Sequence, residues 1–290
     1  MFETTSFAWK NGKIVQINEA DPSIASHSLH LGIGVFDGLM AYFNIEHGHY
    51  YLHHVNSHLE RLLNGSSKMN LKISWTVEDL KQGIFDLLEK EPQTTYYIRP
   101  IVYRSVPQIN ITGSDSMPVD IAIFGVRVPR SVDDSITCHI SPIERISGSA
   151  IPIEWKICGA YVNSYLARNT AEKSGFNDGI MLDRKGRITE ASASNIFFLT
   201  KESIVTPALT PEIFPGITRY SLLKLAKESG IEVVERDIFP SEMNSFEGAF
   251  LAATLMELKP ISIINTFQYE SYKHPIFITL LKKFRESTYQ

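Results

Sequence analysis

Lys156, Glu190 and the segment Pro215–Arg219 are the places where residue type and setting could do chemistry. Lys156 lies in Ile151-Pro152-Ile153-Glu154-Trp155-Lys156-Ile157-Cys158-Gly159-Ala160-Tyr161, with apolar or small neighbours on both sides. Most lysines keep the ammonium in water, and the ordinary arrangement here is a strand-edge lysine whose stem runs past Trp155. The alternative is a partly desolvated amine that loses its proton readily and forms a Schiff base with a carbonyl. Glu190 is the first carboxylate after a hairpin, in Ile188-Thr189-Glu190-Ala191-Ser192-Ala193-Ser194-Asn195. The small residues beyond it leave room for a flat group to approach the backbone. A lone glutamate at a strand end is usually just solvated. One helix and one hairpin separate it from Lys156, which allows both to reach one sheet edge. Pro215-Gly216-Ile217-Thr218-Arg219 opens a helix. Its free N–H groups, the positive end of its dipole and the Thr218 hydroxyl would suit a phosphate, although Pro-Gly before a helix is common turn chemistry.

Other chemistries are absent from the pattern. Seven of the nine histidines fall between His27 and His58, but no paired carboxylate or third ligand follows at a recognised spacing, so no metal site is expected. There is no Gly-x-Gly-x-x-Gly, no Gly-Lys-Ser/Thr phosphate loop and no Gly-x-Ser-x-Gly elbow. Cys138 and Cys158 form no Cys-x-x-Cys pair, which argues against a disulfide framework or zinc knuckle and fits a reducing compartment.

The elements that must position these residues can be read from periodicity. Asn11-Gly12 between Ala8-Trp9 and Ile14-Val15 signals a hairpin, because both central positions tolerate positive φ. Val55, Leu59, Leu62 and Ser66 mark one face of a helix running to about Met69, and Thr76-x-x-Asp79 resembles a capping box before Val77, Leu80, Ile84, Leu87 and Leu88. Thr94 to Arg104 reads as a strand with Tyr97, Arg99 and Tyr103 opposite Ile98 and Val102, and Pro100 suggests an edge or a bulge. Val119–Phe124 reads as a buried strand. In the second half, strands are expected near Ser135–Ile140 and Ile153–Ile157, then a helix from Tyr161 ended by Gly175, a hairpin turning at Asp183–Gly186, short strands at Asn195–Leu199 and Ile204–Thr206, a helix over Ile217–Ser229 and a strand at Ile231–Val234. The fold class is α+β in two domains, residues 1–124 and 135–290, joined by a polar loop over 125–134.

Composition sets the limits. At 290 residues, with 43% hydrophobic and 21% charged residues, the chain can bury a sizeable core in one large or two moderate domains. A formal charge of −4 offers no pull toward nucleic acid or an anionic membrane. No stretch approaches the roughly 18 consecutive apolar residues of a membrane span, and no leader precedes the fold, so a soluble, cytoplasmic protein is expected.

The order and spacing of these signals resemble the class IV pyridoxal-phosphate enzymes, and within them the branched-chain amino acid aminotransferases. The likeness covers nearly the whole chain. It rests on Ala25–Gly32, Val35-Phe36-Asp37-Gly38, His58-Leu59-Glu60-Arg61-Leu62 and Tyr97-Ile98-Arg99-Pro100 in the first half. In the second it rests on Lys156–Ser164, Glu190 with Asn195-Ile196-Phe197, Pro215–Arg219 and Ala252-Ala253-Thr254. The resemblance implies fold type IV: a smaller N-terminal α/β sandwich domain and a larger C-terminal domain built around a β-barrel-like sheet. It implies that pyridoxal 5′-phosphate is held by Lys156 as a Schiff base, with Glu190 on the protonated ring nitrogen and Tyr161 on the ring oxygen. Arg61, Ile217, Thr218 and Thr254 resemble the phosphate anchors. Phe36, Tyr97, Arg99, Leu31, Met40 and Ala253 match substrate-pocket positions, Arg99 suiting a carboxylate through its planar fork. Helical periodicity alone would leave Arg61 exposed.

The implied reaction moves an amino group from an amino acid, branched-chain-like or otherwise hydrophobic, to a 2-oxo acid such as 2-oxoglutarate, and the family habit implies at least a homodimer. Departures at four places bear on the substrate. Leu31 stands where bacterial branched-chain enzymes commonly have Tyr, Met40 where they have Arg, and Gly125–Arg130 differs from their Pro-Trp-Gly-like loop; Ser194 also replaces a frequent acidic residue. A D-amino acid or amine transaminase, or an aminodeoxychorismate-type lyase, is the rival on the same scaffold. A protein that keeps the fold without turnover is the rival from another class, and retention of both Lys156 and Glu190 argues against it.

Overall fold

The computed structural model describes residues 3–107, 109–111, 117–129 and 134–289. The chain forms two compact units: Met1–Arg130 with Glu154–Gly159 and Thr288–Gln290, and Ser131–Ile153 with Ala160–Ser287. The segment that carries Lys156 therefore packs with the first unit, not within 135–290 as sequence order implies.

Among the described residues of the first unit, eight strands make one sheet. β1 (Phe7–Lys10) and β2 (Lys13–Gln16) turn at Asn11-Gly12, both at positive φ. Then come β3 (Gly34–Phe36), β4 (Leu39–Asn44), β5 (His49–Leu52), α1 (Val55–Lys68), α2 (Val77–Leu88), β6 (Tyr96–Arg104) and β7 (Val119–Arg127). The order is β2-β1-β7-β6-β4-β5, with β3 also on β6 and Glu3–Thr4 also on β7. The Thr76/Asp79 capping box closes the start of α2 in both directions.

Residue alternation sorts the sheet into two faces. Ile98 and Val102 of β6, Ile121 and Ile123 of β7, and Val35 and Leu39 bury against Leu59 and Leu62 of α1 and Leu80 and Ile84 of α2. The opposite face carries Tyr97 and Arg99, with Met40 paired to Tyr97 and Phe36 paired to Ile101. β6 is central, so of the two readings of Pro100, an edge or a bulge, the edge is corrected. Its neighbours β4 and β3 pair with Tyr96–Ile98 and with Ile101–Tyr103, so Pro100 sits in the gap between them, where its missing N–H breaks no ladder. The Pro100 carbonyl instead accepts from Asp37 N–H at 3.0 Å.

Among the described residues of the second unit, nine strands form a mixed sheet that curls into a half-barrel. The elements used below are β8 (Ile136–Ile140), α3 (Tyr161–Lys173), β9 (Asp178–Leu182), β10 (Ile188–Ala191), β11 (Asn195–Leu199), β12 (Ser203–Pro207), α4 (Ile217–Glu228), β13 (Glu232–Arg236), β14 (Gly248–Ala253), β15 (Glu257–Ile264) and α5 (Pro275–Ser287). Their order is β10-β9-β8-β15-β14-β11-β12-β13. β11 is buried on both faces, which explains its unbroken apolar run. Ile196 and Phe198 enter one core with Ile180, Leu251 and Ile261, while Phe197 and Leu199 enter another with Leu222 of α4 and Leu280 of α5.

Two expectations about linking segments are corrected. Ile153–Ile157 is not a strand: Ile153–Trp155 and Cys158–Ala160 are single 3₁₀ turns, and Lys156 lies between them at φ +54°. The expected link at 125–134 begins inside β7, because Gly125, Val126 and Arg127 still pair with Ile98, Tyr97 and Tyr96. Residues 130–133 of that link lie outside the described residues.

Backbone contacts hold the Lys156 segment in the first unit. Ile157 bridges Val35, Phe36 N–H donates to the Lys156 carbonyl at 3.2 Å, and Gly159 N–H donates to the Gly32 carbonyl at 3.0 Å. Helix α1 meets the same segment at Gly65, where a Cβ would lie 2.6 Å from the Trp155 carbonyl oxygen and 3.1 Å from Val35 Cγ1. Alanine is favoured over glycine inside a helix by about 1 kcal/mol, but overpacking against a backbone atom costs about 1–3 kcal/mol. Gly65→Ala should therefore destabilise the protein by about 1–2 kcal/mol and lower its melting temperature; a melting temperature above wild type would contradict this packing.

Candidate active site

The first unit brings two of the expected residues, Lys156 and Arg99, to the ring of a third, Phe36. Phe36 closes β3 and is buried; Lys156 Nζ lies 4.9 Å from its ring centroid and Arg99 Cζ 4.3 Å from it. Arg99 Nη2 donates to Tyr97 Oη at 3.0 Å, while Arg99 Nε is buried with no hydrogen-bond partner. A buried guanidinium N–H without an acceptor is costly, and an acceptor such as a carboxylate would satisfy it. Met40, the strand neighbour of Tyr97, is buried in an apolar cluster with Tyr42 and Val128.

Arg61 lies off the apolar stripe of α1, as periodicity requires, yet it is largely buried because Asp37 faces it. Asp37 is fully buried between Phe36 and Gly38. Its carboxylate accepts from Arg61 Nε at 2.7 Å, Arg61 Nη2 at 2.9 Å, His58 Nδ1 at 2.8 Å and Gly38 N–H at 2.7 Å. Burial pushes the Asp37 carboxyl upward, but the His58 hydrogen bond and the Arg61 charge outweigh it and hold the group well below the usual carboxylate range. His58 is shifted down, chiefly by burial; its bond to Asp37 opposes this, and the charges of Arg61 and Lys156 add to it. Asp37 and His58 were visible in the sequence only as parts of the quoted motifs, and the structure shows them to be what aims Arg61. Leu31 follows the helical turn His27–His30, is 37% exposed and precedes Gly32, whose carbonyl accepts from Gly159 N–H.

In the second unit, Glu190 on β10 is buried and held by three donors. Arg145 Nη2 lies 2.7 Å from Oε1, and Oε2 accepts from Asn195 Nδ2 at 3.0 Å and Phe214 N–H at 3.1 Å. Arg145 carried no signal in the sequence, since nothing near it marks a buried arginine. Asn195 Nδ2 also donates to the Phe214 carbonyl at 2.9 Å, which ties Glu190 to the loop that leads into α4. That loop ends at Gly216, where a Cβ would lie 2.2 Å from Asn195 Oδ1, so only glycine allows this approach. Gly216 caps α4 without a side chain, and the first helical bond runs from Tyr220 N–H to the Gly216 carbonyl. The N–H groups of Ile217 and Thr218 are thus left with no intrahelical partner.

Thr218 is buried in the first turn, whereas Arg219 donates to the Pro207 carbonyl at 3.0 Å and pairs with Glu235 at 2.6 Å, away from an anchoring role. Register brings Thr254 to the same end of the sheet: Asn195 pairs with Ala252, and Ala253 and Thr254 follow directly, both half-buried. Tyr161 opens α3 and is half-buried.

The donor sets fit pyridoxal phosphate. A helix start without a side-chain cap suits a phosphate, a buried carboxylate suits a ring nitrogen, and a lysine amine can form a Schiff base with an aldehyde. Among the described residues, no group of three or more His, Cys, Asp or Glu is placed to hold a metal, and no helix is long and apolar enough to cross a membrane.

Comparison with known proteins agrees with this chemistry. Residues 34–264 match the family model for amino-transferase class IV. A probable branched-chain-amino-acid aminotransferase of Aquifex aeolicus is 36% identical over 263 residues, covering 89% of this chain and 84% of that protein. The branched-chain aminotransferase of Thermoproteus uzoniensis, solved with norvaline, superposes with a TM-score of 0.91 at 29% identity, over 98% of this chain and 94% of that one. The enzyme of Thermobaculum terrenum in its PLP form superposes with a TM-score of 0.90 at 27% identity, over 99% and 95%. The chain belongs to the class IV aminotransferases and is a pyridoxal-phosphate-dependent enzyme acting on amino and keto acids.

Proposed function

We propose that this enzyme transfers the amino group of a branched-chain or similarly hydrophobic L-amino acid to 2-oxoglutarate. The observation that carries this reading is the cluster on Phe36, where the amine of Lys156 and a guanidinium with a buried, unsatisfied N–H share one aromatic ring. Pyridoxal phosphate, when bound, supplies the electron sink that lets a substrate Cα–H bond break. Lys156 would hold it covalently, and its Nζ, when free, would take up and return the proton of the substrate Cα. Glu190 would serve the ring nitrogen and Tyr161 the ring oxygen. Arg61, aimed by Asp37, would be one phosphate anchor, and the N–H groups of Ile217 and Thr218 with the hydroxyls of Thr218 and Thr254 would be the others. Arg99, braced by Tyr97 and Phe36, takes a substrate carboxylate.

The apolar surroundings of Met40, with Leu31 and Ala253 as further pocket positions, favour a hydrophobic donor side chain. The relatives compared above are named as branched-chain aminotransferases, which supports the same choice. The reading includes a homodimer. Ile24, Leu29, Leu31, Ile109 and Ile111 are all exposed, and the Ser26 to Pro107 bridge joins their two stretches, which suits an apolar surface covered by a second copy. A cytoplasmic setting belongs to it as well, in keeping with free Cys138 and Cys158.

The purified protein incubated with pyridoxal phosphate should be yellow, and Lys156→Ala should lose the absorption band of the covalent form; a colourless wild type would overturn the role of Lys156. In a panel of amino donors with 2-oxoglutarate, L-leucine, L-isoleucine and L-valine should yield glutamate. Glutamate formed only from D-amino acids or amines, or pyruvate released from aminodeoxychorismate, would move the enzyme to another branch of the family. Arg99→Gln should lower kcat/KM for the 2-oxoglutarate half-reaction about ten- to hundredfold, the loss of a charge-assisted hydrogen bond; an unchanged value would remove Arg99 from carboxylate binding.

A further inference from the structure

Glu190 does not present a bare carboxylate. Arg145 occupies its Oε1 at 2.7 Å, while Asn195 and the Phe214 N–H occupy Oε2. Arg145 is 9% exposed and fixed along its length. Its Nε donates to the Glu212 carbonyl at 3.3 Å, Nη1 to Asn163 Oδ1 at 3.4 Å, and its backbone N–H to the Leu182 carbonyl at 2.8 Å. The roles assigned above leave this buried cation without a chemical task.

A purely structural carboxylate would be satisfied by this arginine alone. One that also faces a protonated ring nitrogen has to serve two cations, and each weakens its hold on the other, because a nearby like charge disfavours the protonated form of the group that can lose its proton. An arginine does not yield its own proton, so the ring nitrogen is the group that gives way. We propose that Arg145 is a positioning residue that tunes the cofactor: by acting as a permanent counter-ion to Glu190, it makes the ring nitrogen release its proton more readily than it would opposite the same carboxylate alone. The inference rests on the assignment of Glu190 to the ring nitrogen. Its consequence is a moderated electron sink, which keeps the proton at Lys156 moving between Cα and C4′ and limits escape into racemisation or elimination.

The test uses wild type, Arg145→Gln, Arg145→Lys and Glu190→Gln, each loaded with pyridoxal phosphate carrying ¹⁵N in the ring and titrated by ¹⁵N NMR, with melting temperatures as a control for folding. In Arg145→Gln the protonation midpoint of the ring nitrogen should rise by about one pH unit or more, and Arg145→Lys should return it toward wild type. An unchanged midpoint in Arg145→Gln, with only the melting temperature lowered, would make Arg145 a structural anchor and overturn the proposal. In the wild type, the side-chain ¹⁵N resonances of Arg145 should move with the ring midpoint. Arginine resonances indifferent to ring protonation would overturn it without recourse to any variant. A midpoint unchanged in Glu190→Gln has a different meaning: it removes Glu190 from the ring nitrogen, and this inference with it.

Discussion

A carboxylate taken out of water must be met by charge and hydrogen bonds, and each unit of this chain is organised around one that is. In the first unit Asp37, wholly buried, is met by Arg61, His58 and the Gly38 N–H; in the second, Glu190 is met by Arg145, Asn195 and the Phe214 N–H. Buried ion pairs of this kind contribute little net stability, because desolvation offsets most of the attraction, yet removing one partner costs about 3–5 kcal/mol. What they supply is direction. Asp37 grips Arg61 through two N–H groups and so fixes the guanidinium plane, and Glu190 is immobilised at both oxygens.

The same economy of position governs the lysine. Lys156 is held in the left-handed region of φ, which a side chain of its kind adopts only when its surroundings impose it. The imposing contacts are the Ile157 bridge to Val35, the hydrogen bond from Phe36 N–H to the Lys156 carbonyl, and the close approach of Gly65 to Trp155. They set the amine over the Phe36 ring, where Arg99 also lies.

Much of this was legible in the sequence, for identifiable reasons. Strong local chemistry was read correctly: the Asn11-Gly12 hairpin, the Thr76/Asp79 capping box, the apolar stripe of α1 and the helix opening at Ile217 all depend on neighbours in sequence. Errors arose where distant contacts decide the local conformation. Ile153–Ile157 has the β-branched and aromatic content of a strand, but docking against Val35 and Gly65 turns it into 3₁₀ turns. Pro100 belongs to a central strand because the neighbouring chain breaks beside it. Arg61 and Arg145 illustrate the limit for the site. Periodicity gives Arg61 no reason to be buried, since its reason is Asp37 on another element. Arg145 was missed altogether, since its partner Glu190 lies across a helix and a hairpin.

The central claim is that Lys156 is the point of covalent attachment. The most direct measurement is to load the protein with pyridoxal phosphate, reduce it with borohydride and locate the phosphopyridoxyl group by peptide mass spectrometry. The account places it on the peptide containing Lys156 and on no other lysine. A label carried elsewhere, or no label at all, would contradict it.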